Sequence, residues 1–148
     1  MINLICFGYS KNTDYVTIIS EYYKRLGNKL KIIELAQAKG SKSEILQKEA
    51  KEIEKYSNSD FRIFLDASKG QNLSSDEFAK KIDNWLSNNR NISFIIGGSF
   101  GFAENLITKN DYVLSLGNMT FPHMMARAIL LEQIYRVFEI FKNSPYHK

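Results

Sequence analysis

Two apolar segments in the last third of the chain each run directly into a loop rich in glycine and polar residues. Residues 93–96 precede Gly97-Gly98-Ser99-Phe100-Gly101, and residues 112–116 precede Gly117-Asn118-Met119-Thr120-Phe121-Pro122-His123. Glycines let backbone amides approach a ligand closely, and in open α/β sheets ligands bind beyond the carboxyl ends of the strands. We therefore expect the two loops to border one binding crevice, although glycines also form ordinary tight turns.

Common catalytic and cofactor-binding motifs are absent from the sequence. The first strand-to-helix turn, Gly8-Tyr9-Ser10-Lys11, is not a dinucleotide-binding fingerprint, and there is no P-loop, CxxC or HExxH motif. Cys6 lies in an apolar strand and is typical of a small buried hydrophobic residue. No Ser/His/Asp or Cys/His set is evident, so an enzyme with this sequence would bind and orient a reactive cofactor. No metal is expected.

The helix after the second loop carries two candidate binding residues. His123 begins this helix, where it is a packed or solvated residue or a contact at the crevice edge. Arg127 lies one turn later on the same face. It has no acidic partner nearby in the sequence, so it is a candidate for contacting phosphate or carboxylate. Glu132 and Arg136, by contrast, have the spacing of an ion pair on the helix surface.

The C-terminal tail combines three side chains that suit contact with nucleic acid. Pro145-Tyr146-His147-Lys148 supplies an aromatic ring, an imidazole and a cation. Such a set can stack on a base and contact its backbone. The alternative is a frayed terminus without a binding role.

Periodicity predicts the elements that must position these residues. Strands are expected at residues 1–7, 29–35, 61–65, 92–96 and 112–116. The first helix is expected from a cap at Asn12 or Thr13 to Arg25, and the last from a cap at Thr120 to Lys142. Between them, helices are expected at residues 42–56 and 75–87, with a short one at 103–107. Ser41 with Glu44 and Ser74 with Glu77 have the spacing of capping boxes. The order predicts an α/β fold with a largely parallel sheet covered on both faces.

Length and composition fit one globular domain over residues 1–148. Hydrophobic residues make up 44% of the 148 residues, and the net charge is +4, compatible with a polyanionic partner. No apolar run of about 18 residues predicts a membrane span, and the N-terminus has no basic leader, so we expect a cytoplasmic protein without a membrane partner. The last predicted helix is apolar on most sides, which favours a subunit interface and hence a homodimer.

The ordered motifs of the whole chain resemble one known family. They are Phe94-Ile95-Ile96-Gly97-Gly98-Ser99-x-Gly101, Leu114-Ser115-Leu116-x-x-Met119-Thr120-Phe121-Pro122-His123, Glu132-Gln133-Ile134-Tyr135-Arg136 and Pro145-Tyr146-His147-Lys148. Glu21-Tyr22-x-Lys24-Arg25-Leu26 and Leu65-Asp66 extend the match towards the N-terminus. This set resembles the ribosomal RNA large subunit methyltransferase H (RlmH) family of the SPOUT superfamily.

The resemblance implies a homodimeric enzyme whose C-terminal part forms a deep trefoil knot. The implied activity is transfer of a methyl group from S-adenosylmethionine to N3 of a pseudouridine, in a 23S rRNA stem-loop of the assembled ribosome. The implied cofactor contacts are Leu65, Gly97, Leu116, Gly117, Asn118, Met119, Thr120 and Phe121. The implied RNA contacts are His123, Arg127, Tyr146 and His147, with His147 as the candidate general base or, alternatively, water taking the proton.

Some positions depart from the family pattern. The segment Leu65-Asp66-Ala67-Ser68-Lys69-Gly70 is one residue longer before Leu73 and has its glycine and lysine in reversed order, and Gly117 replaces a common serine. Two other functions stay open. One is a nucleotide- or flavin-binding α/β domain without methyl transfer, and the other is a non-catalytic ribosome-binding module.

Overall fold

The computed structural model describes residues 1–11 and 14–148. Within these ranges there are six strands: β1 (Ile2–Phe7), β2 (Leu30–Leu35), β3 (Phe61–Leu65), β4 (Gln71–Asn72), β5 (Ile92–Ile96) and β6 (Tyr112–Ser115). Four α-helices accompany them: α1 (Asp14–Leu26), α2 (Lys42–Ser57), α3 (Ser75–Asn88) and α4 (His123–Phe141). The predicted α/β class is confirmed. The predicted cap of the first helix at Asn12 or Thr13 lies outside the described residues.

All neighbouring strands of the sheet run parallel, in the order β2-β1-β5-β3-β6-β4. Alternate side chains of a strand point to opposite faces, and β1 therefore serves two cores. Leu4 and Cys6 face a core built with α1, α3 and α4, whereas Ile5 and Phe7 face a smaller core built with α2 and residues 102–107. Cys6 is fully buried, as expected.

Local sequence signals position α2 and α3 as predicted. Ser41 and Ser74 each cap a helix, and both form reciprocal capping boxes with the glutamate three residues later. Each box satisfies two backbone N–H groups that would otherwise lack a partner at the helix start.

Two local predictions were wrong. Residues 103–107 form turns rather than a short helix, because Asn105 has a φ of 66° and so interrupts a helical path. Leu106 in these turns is buried in the smaller core. Thr120 does not cap α4, because the N-cap position is Pro122, which makes no side-chain capping bond. The short strand β4 was not predicted.

Helix α4 packs against both α1 and α3. Ala128, Leu130, Leu131, Ile134 and Val137 are buried within the subunit. Much of the apolar surface that suggested a subunit interface is thus covered by the chain's own helices. Phe141, at the end of α4, remains 40% exposed.

Candidate functional site

A cavity of about 300 Å³ lies beyond the carboxyl ends of β3, β5 and β6. These strands are neighbours in the sheet, so the loops that follow them meet at one edge although they are distant in sequence. The start of α4 closes the cavity. Its lining consists of Leu65, Asp66, Ala67, Ser68, Ile96, Gly97, Gly98, Gly101, Phe102, Leu114, Leu116, Gly117, Met119, Thr120, Phe121, His123 and Ala126. The expected single crevice between the two glycine loops is confirmed.

Most residues that the sequence suggested for a cofactor lie in this lining: Leu65, Gly97, Leu116, Gly117, Met119, Thr120 and Phe121. Asn118 is the exception. Its side chain accepts a hydrogen bond from the Asn72 amide at 2.8 Å and borders a neighbouring depression on the other side of the loop. His123 lines the cavity from the first residue of α4 and is exposed.

Asp66 is a lining residue that the sequence analysis did not select. One carboxylate oxygen accepts the Ser68 and Lys69 backbone N–H groups, at 2.9 Å and 3.1 Å, and the Ser68 hydroxyl at 2.8 Å. Partial burial raises the pKa of Asp66, but these hydrogen bonds outweigh it and hold the pKa below its ordinary value. The cavity wall thus carries an ionised carboxylate, for which the Asp-x-Ser turn pattern was the available signal.

Gly70 lies at the point where the loop after β3 approaches the backbone of β6 most closely. A Cβ atom at this position would lie 2.4 Å from the Leu114 carbonyl carbon and from the Ser115 nitrogen. The loop thus passes directly over the backbone of β6, and only glycine fits there.

Ser115 joins the two loops that enclose the cavity. Its buried hydroxyl lies 2.7 Å from the Gly117 carbonyl oxygen and 3.3 Å from the Ala67 carbonyl oxygen, and it accepts the Gly117 N–H at 3.2 Å. These bonds fix the start of the loop after β6 against the loop after β3. The sequence analysis did not assign this serine a role.

Arg127 does not reach the cavity surface, which corrects its interpretation as an RNA contact. Its side chain is 1% exposed, and its guanidinium donates to Glu34 at 2.7 Å and to the Gly8 carbonyl oxygen at 3.1 Å. The expectation that it lacks an acidic partner nearby in sequence was correct. The partner comes from β2 instead, because the fold brings the end of β2 beside α4.

Comparisons with known proteins agree with this architecture. The family described as "Predicted SPOUT methyltransferase" matches residues 1–147. The chain belongs to the SPOUT methyltransferase family. It is similar to the ribosomal RNA large subunit methyltransferase H of Clostridium kluyveri (41% identity) and of Enterococcus faecalis (38% identity). It is also similar to the ribosomal RNA large subunit methyltransferase H 1 of Clostridium perfringens, with 42% identity. Each of these alignments covers 99% of both chains.

The tail of this SPOUT family member is ordered by specific contacts rather than frayed. The Tyr146 hydroxyl donates to Glu132 at 3.0 Å, and its ring packs edge-on against Tyr135 with 4.9 Å between centroids. The His147 ring lies 3.3 Å from Arg136 through Nδ1 and 3.3 Å from Asp76 through Nε2. The expected Glu132–Arg136 pair is present and supports this arrangement.

Tyr146 and His147 are consequently not in the lining of the SPOUT cavity of the same subunit. They lie along α4 and beside the start of α3, in contact with Glu132, Arg136 and Asp76. The structure thus brings together the residues suggested for a cofactor, Asn118 excepted, and His123. The tail residues remain apart from them.

Among the residues that the structure describes, no helix is long and apolar enough to cross a membrane. Within the same ranges, no three His, Cys, Asp or Glu side chains cluster in a way that would hold a metal ion.

Proposed function

We propose that this protein transfers a methyl group from S-adenosylmethionine to N3 of a pseudouridine in a 23S rRNA stem-loop of the assembled ribosome, in the cytoplasm. The observation that carries the proposal is the cavity formed by the loops after β3, β5 and β6, in a chain of the SPOUT methyltransferase family. The relatives align with this chain over almost their whole length, and their names support rRNA as the substrate.

The cavity has the size and chemistry to hold S-adenosylmethionine. Its volume of about 300 Å³ falls at the lower end of small-molecule sites, and such sites combine apolar walls with a few polar groups. Leu65, Leu116 and Phe121 would enclose the adenine, and the backbone at Gly97 and Gly117 would approach its polar edge. Asn118 would contribute through its backbone, because its side chain is bonded to Asn72. When bound, the cofactor supplies an activated methyl group.

Asp66 adds a second polar element to the proposed site. Its carboxylate is held ionised by the turn that it caps, and it lies in the same lining as the apolar residues. A fixed negative charge there would accept hydrogen bonds from ribose hydroxyls or balance a nearby positive charge.

On the substrate side, the protein must place N3 of the base at the cavity mouth and allow its proton to leave. Holding the two reactants in line accounts for several kcal/mol of barrier reduction in enzymes of this kind. His123 already lies at the mouth, where it would contact the RNA. His147 is the proposed proton acceptor, with water as the alternative.

The position of the tail supports a homodimer in this proposal. Within one subunit, Tyr146 and His147 lie against α3 and α4 and not in the cavity. We assign their action to the cavity of a second copy of the chain. Each copy would then be a single SPOUT domain over residues 1–148 with a trefoil knot in its C-terminal part. The close passage of Gly70 over β6 fits such tightly threaded loops.

The test is transfer of labelled methyl groups from S-adenosylmethionine to ribosomes that lack this one modification, compared with ribosomes that also lack the pseudouridine. We expect label on the 23S rRNA of the first and little on the second. Equal label on both would contradict the assignment of pseudouridine as the methylated nucleotide. Binding of the cofactor without transfer to either would move the target elsewhere. Binding of ribosomal subunits without any binding of the cofactor would indicate a non-catalytic ribosome-binding module. Binding of a flavin or nucleotide instead would indicate the alternative α/β domain.

A further inference from the structure

Helix α2 buries the carboxyl group of Glu49. Glu49 is 5% exposed, whereas most charged residues of α2 face solvent. Burial of an ionisable group is unfavourable unless it is hydrogen-bonded or paired. Among the ion pairs of residues 1–11 and 14–148, none includes Glu49. Its neighbour is the glycine turn after β5.

The contact between Glu49 and Gly98 is close. A Cβ atom on Gly98 would lie 2.6 Å and 2.8 Å from the two carboxylate oxygens of Glu49. The backbone of Gly98 has no positive φ, so its conformation alone does not demand glycine. Burial raises the pKa of Glu49, and the adjacent backbone of Gly98 partly offsets this effect. The carboxyl group therefore occupies the space that a side chain at position 98 would fill.

The far side of the same turn is the wall of the cavity. Gly97, Gly98, Gly101 and Phe102 line the cavity, and the Gly101 N–H closes the turn by donating to the Gly98 carbonyl oxygen at 3.2 Å. Glu49 itself is not in the lining. A displacement of Gly98 would move this wall. The carboxyl group of Glu49 can therefore affect the shape of the cavity without lining it.

We propose that Glu49 is a positioning residue that holds the Gly97–Gly101 turn in the shape that accepts the cofactor. This inference rests on the proposed binding of S-adenosylmethionine in the cavity. Glu49 then sets the affinity for the cofactor and leaves the affinity for RNA unchanged. A displaced wall would cost the cofactor about one hydrogen bond, and the loss of one bond corresponds to about tenfold weaker binding.

The experiment compares four proteins by calorimetric binding of S-adenosylhomocysteine and by KM values for S-adenosylmethionine and for ribosomes. They are wild type, Glu49→Ala, Gly98→Ala and the double variant. Glu54→Gln is the matched control, because Glu54 is an exposed glutamate of the same helix. We expect Glu49→Ala and Gly98→Ala each to weaken cofactor binding about tenfold or more. The KM for ribosomes should be unchanged.

The double variant gives the sharpest readout. Because Glu49→Ala removes the atoms that Gly98→Ala would meet, the double variant should bind S-adenosylhomocysteine more tightly than Gly98→Ala alone. A general loss of folding would not produce such a rescue. Glu49→Gln, which retains an acceptor oxygen, should keep part of the affinity. The thermal midpoints of all variants show whether each one is folded.

Two failures are distinguishable. If wild-type protein binds S-adenosylhomocysteine and Glu49→Ala binds it equally well, the inference about Glu49 is wrong and the proposed cofactor stands. Additive effects in the double variant would likewise overturn the inference. If wild-type protein does not bind the compound, the proposed cofactor is wrong, and the inference about Glu49 is overturned with it.

Discussion

The guanidinium of Arg127 and the carboxylate of Glu34 are 2.7 Å apart, although 93 residues separate them in the chain. The same Glu34 oxygen accepts the Ser10 backbone N–H at 2.7 Å and the Ser10 hydroxyl at 3.1 Å. Arg127 also donates to the Gly8 carbonyl oxygen. This ion pair, of which Arg127 is the buried member, therefore ties the start of α4, which borders the cavity, to the end of β2 and the loop after β1.

Replacement of Arg127 should destabilise the protein rather than abolish a surface contact. Removal of one partner of a buried pair costs about 3–5 kcal/mol, and the lower end applies here because Glu34 is 29% exposed and water would partly solvate it. We expect Arg127→Ala to lower the free energy of unfolding, measured in urea, by an amount of this order. Arg127→Ala combined with Glu34→Gln should lose less than the sum of the two single variants. Arg90→Ala, at an exposed arginine, is the control. Unchanged stability of Arg127→Ala with weaker RNA binding would restore Arg127 as an RNA contact.

Asp66 should make stability depend on pH in the acid range. Its pKa is lower in the folded protein than the unfolded value of about 3.9. Its contribution is therefore fully present above that value and is lost as the pH falls through the lower folded pKa. We expect Asp66→Asn to be less stable than wild type at pH 7, with the difference shrinking in more acidic solution. Urea unfolding across this range measures it, and a difference that does not change with pH would contradict the prediction.

Gly70→Ala should disturb the crossing of the loop after β3 over β6. The added methyl group would meet backbone atoms of Leu114 and Ser115, which cannot rotate away. Insertion of a methyl group at a tightly packed site costs about 1–3 kcal/mol. We expect the free energy of unfolding, measured with a chemical denaturant, to fall by this amount, and the binding of S-adenosylhomocysteine to weaken. Tolerance of alanine in both measurements would show that the two segments are further apart than the structure indicates.

His147→Ala should slow methyl transfer without weakening cofactor binding. General bases contribute about 10²–10⁴-fold to the rates of enzymes that use them. We expect the rate with saturating ribosomes to fall and its pH profile to flatten on the acid side. Lys148→Ala is the adjacent control in the same tail. A profile identical to that of wild type would leave water as the proton acceptor.

The homodimer can be tested by complementation. If the proposal is right, protein that lacks residues 145–148 should be inactive because it has no tail. Gly97→Val should also be inactive, because its side chain would meet Gly101 and Phe102 at the cavity wall. A mixture of the two should recover activity, because one mixed dimer unites an intact cavity with an intact tail. Light scattering should show two copies per particle. No recovery from a dimeric mixture would place the tail at the cavity of its own subunit.

The sequence predicted features that short-range chemistry decides. The two capping boxes, the buried Cys6 and the strands at 61–65 and 92–96 depend on neighbouring residues, and all are present. The two glycine loops were also correctly placed at one cavity, since parallel strands share an edge. The left-handed conformation of Asn105 was not evident in an otherwise acceptable helical segment.

Features that depend on the order of strands could not be predicted from local pattern. The insertion of β5 between β1 and β3 decides which loops meet, and it brings Asp66 and Ser68 into the lining. The partner of Arg127 likewise comes from a distant strand, which periodicity along the chain does not reveal. The side chain of Asn118 lies outside the lining, where it accepts a hydrogen bond from Asn72 on the unpredicted strand β4.

The buried position of Cys6 gives the protein an internal reporter of its own unfolding. It is the single cysteine of the chain, lies fully buried in β1, and burial raises the pKa of its thiol to about 12. Alkylating reagents attack the thiolate, so they would modify this residue only when β1 leaves the sheet. The rate of alkylation in native buffer would therefore measure how often the centre of the sheet opens, and a bound ligand that slows it would reveal its affinity without any label engineered into the protein.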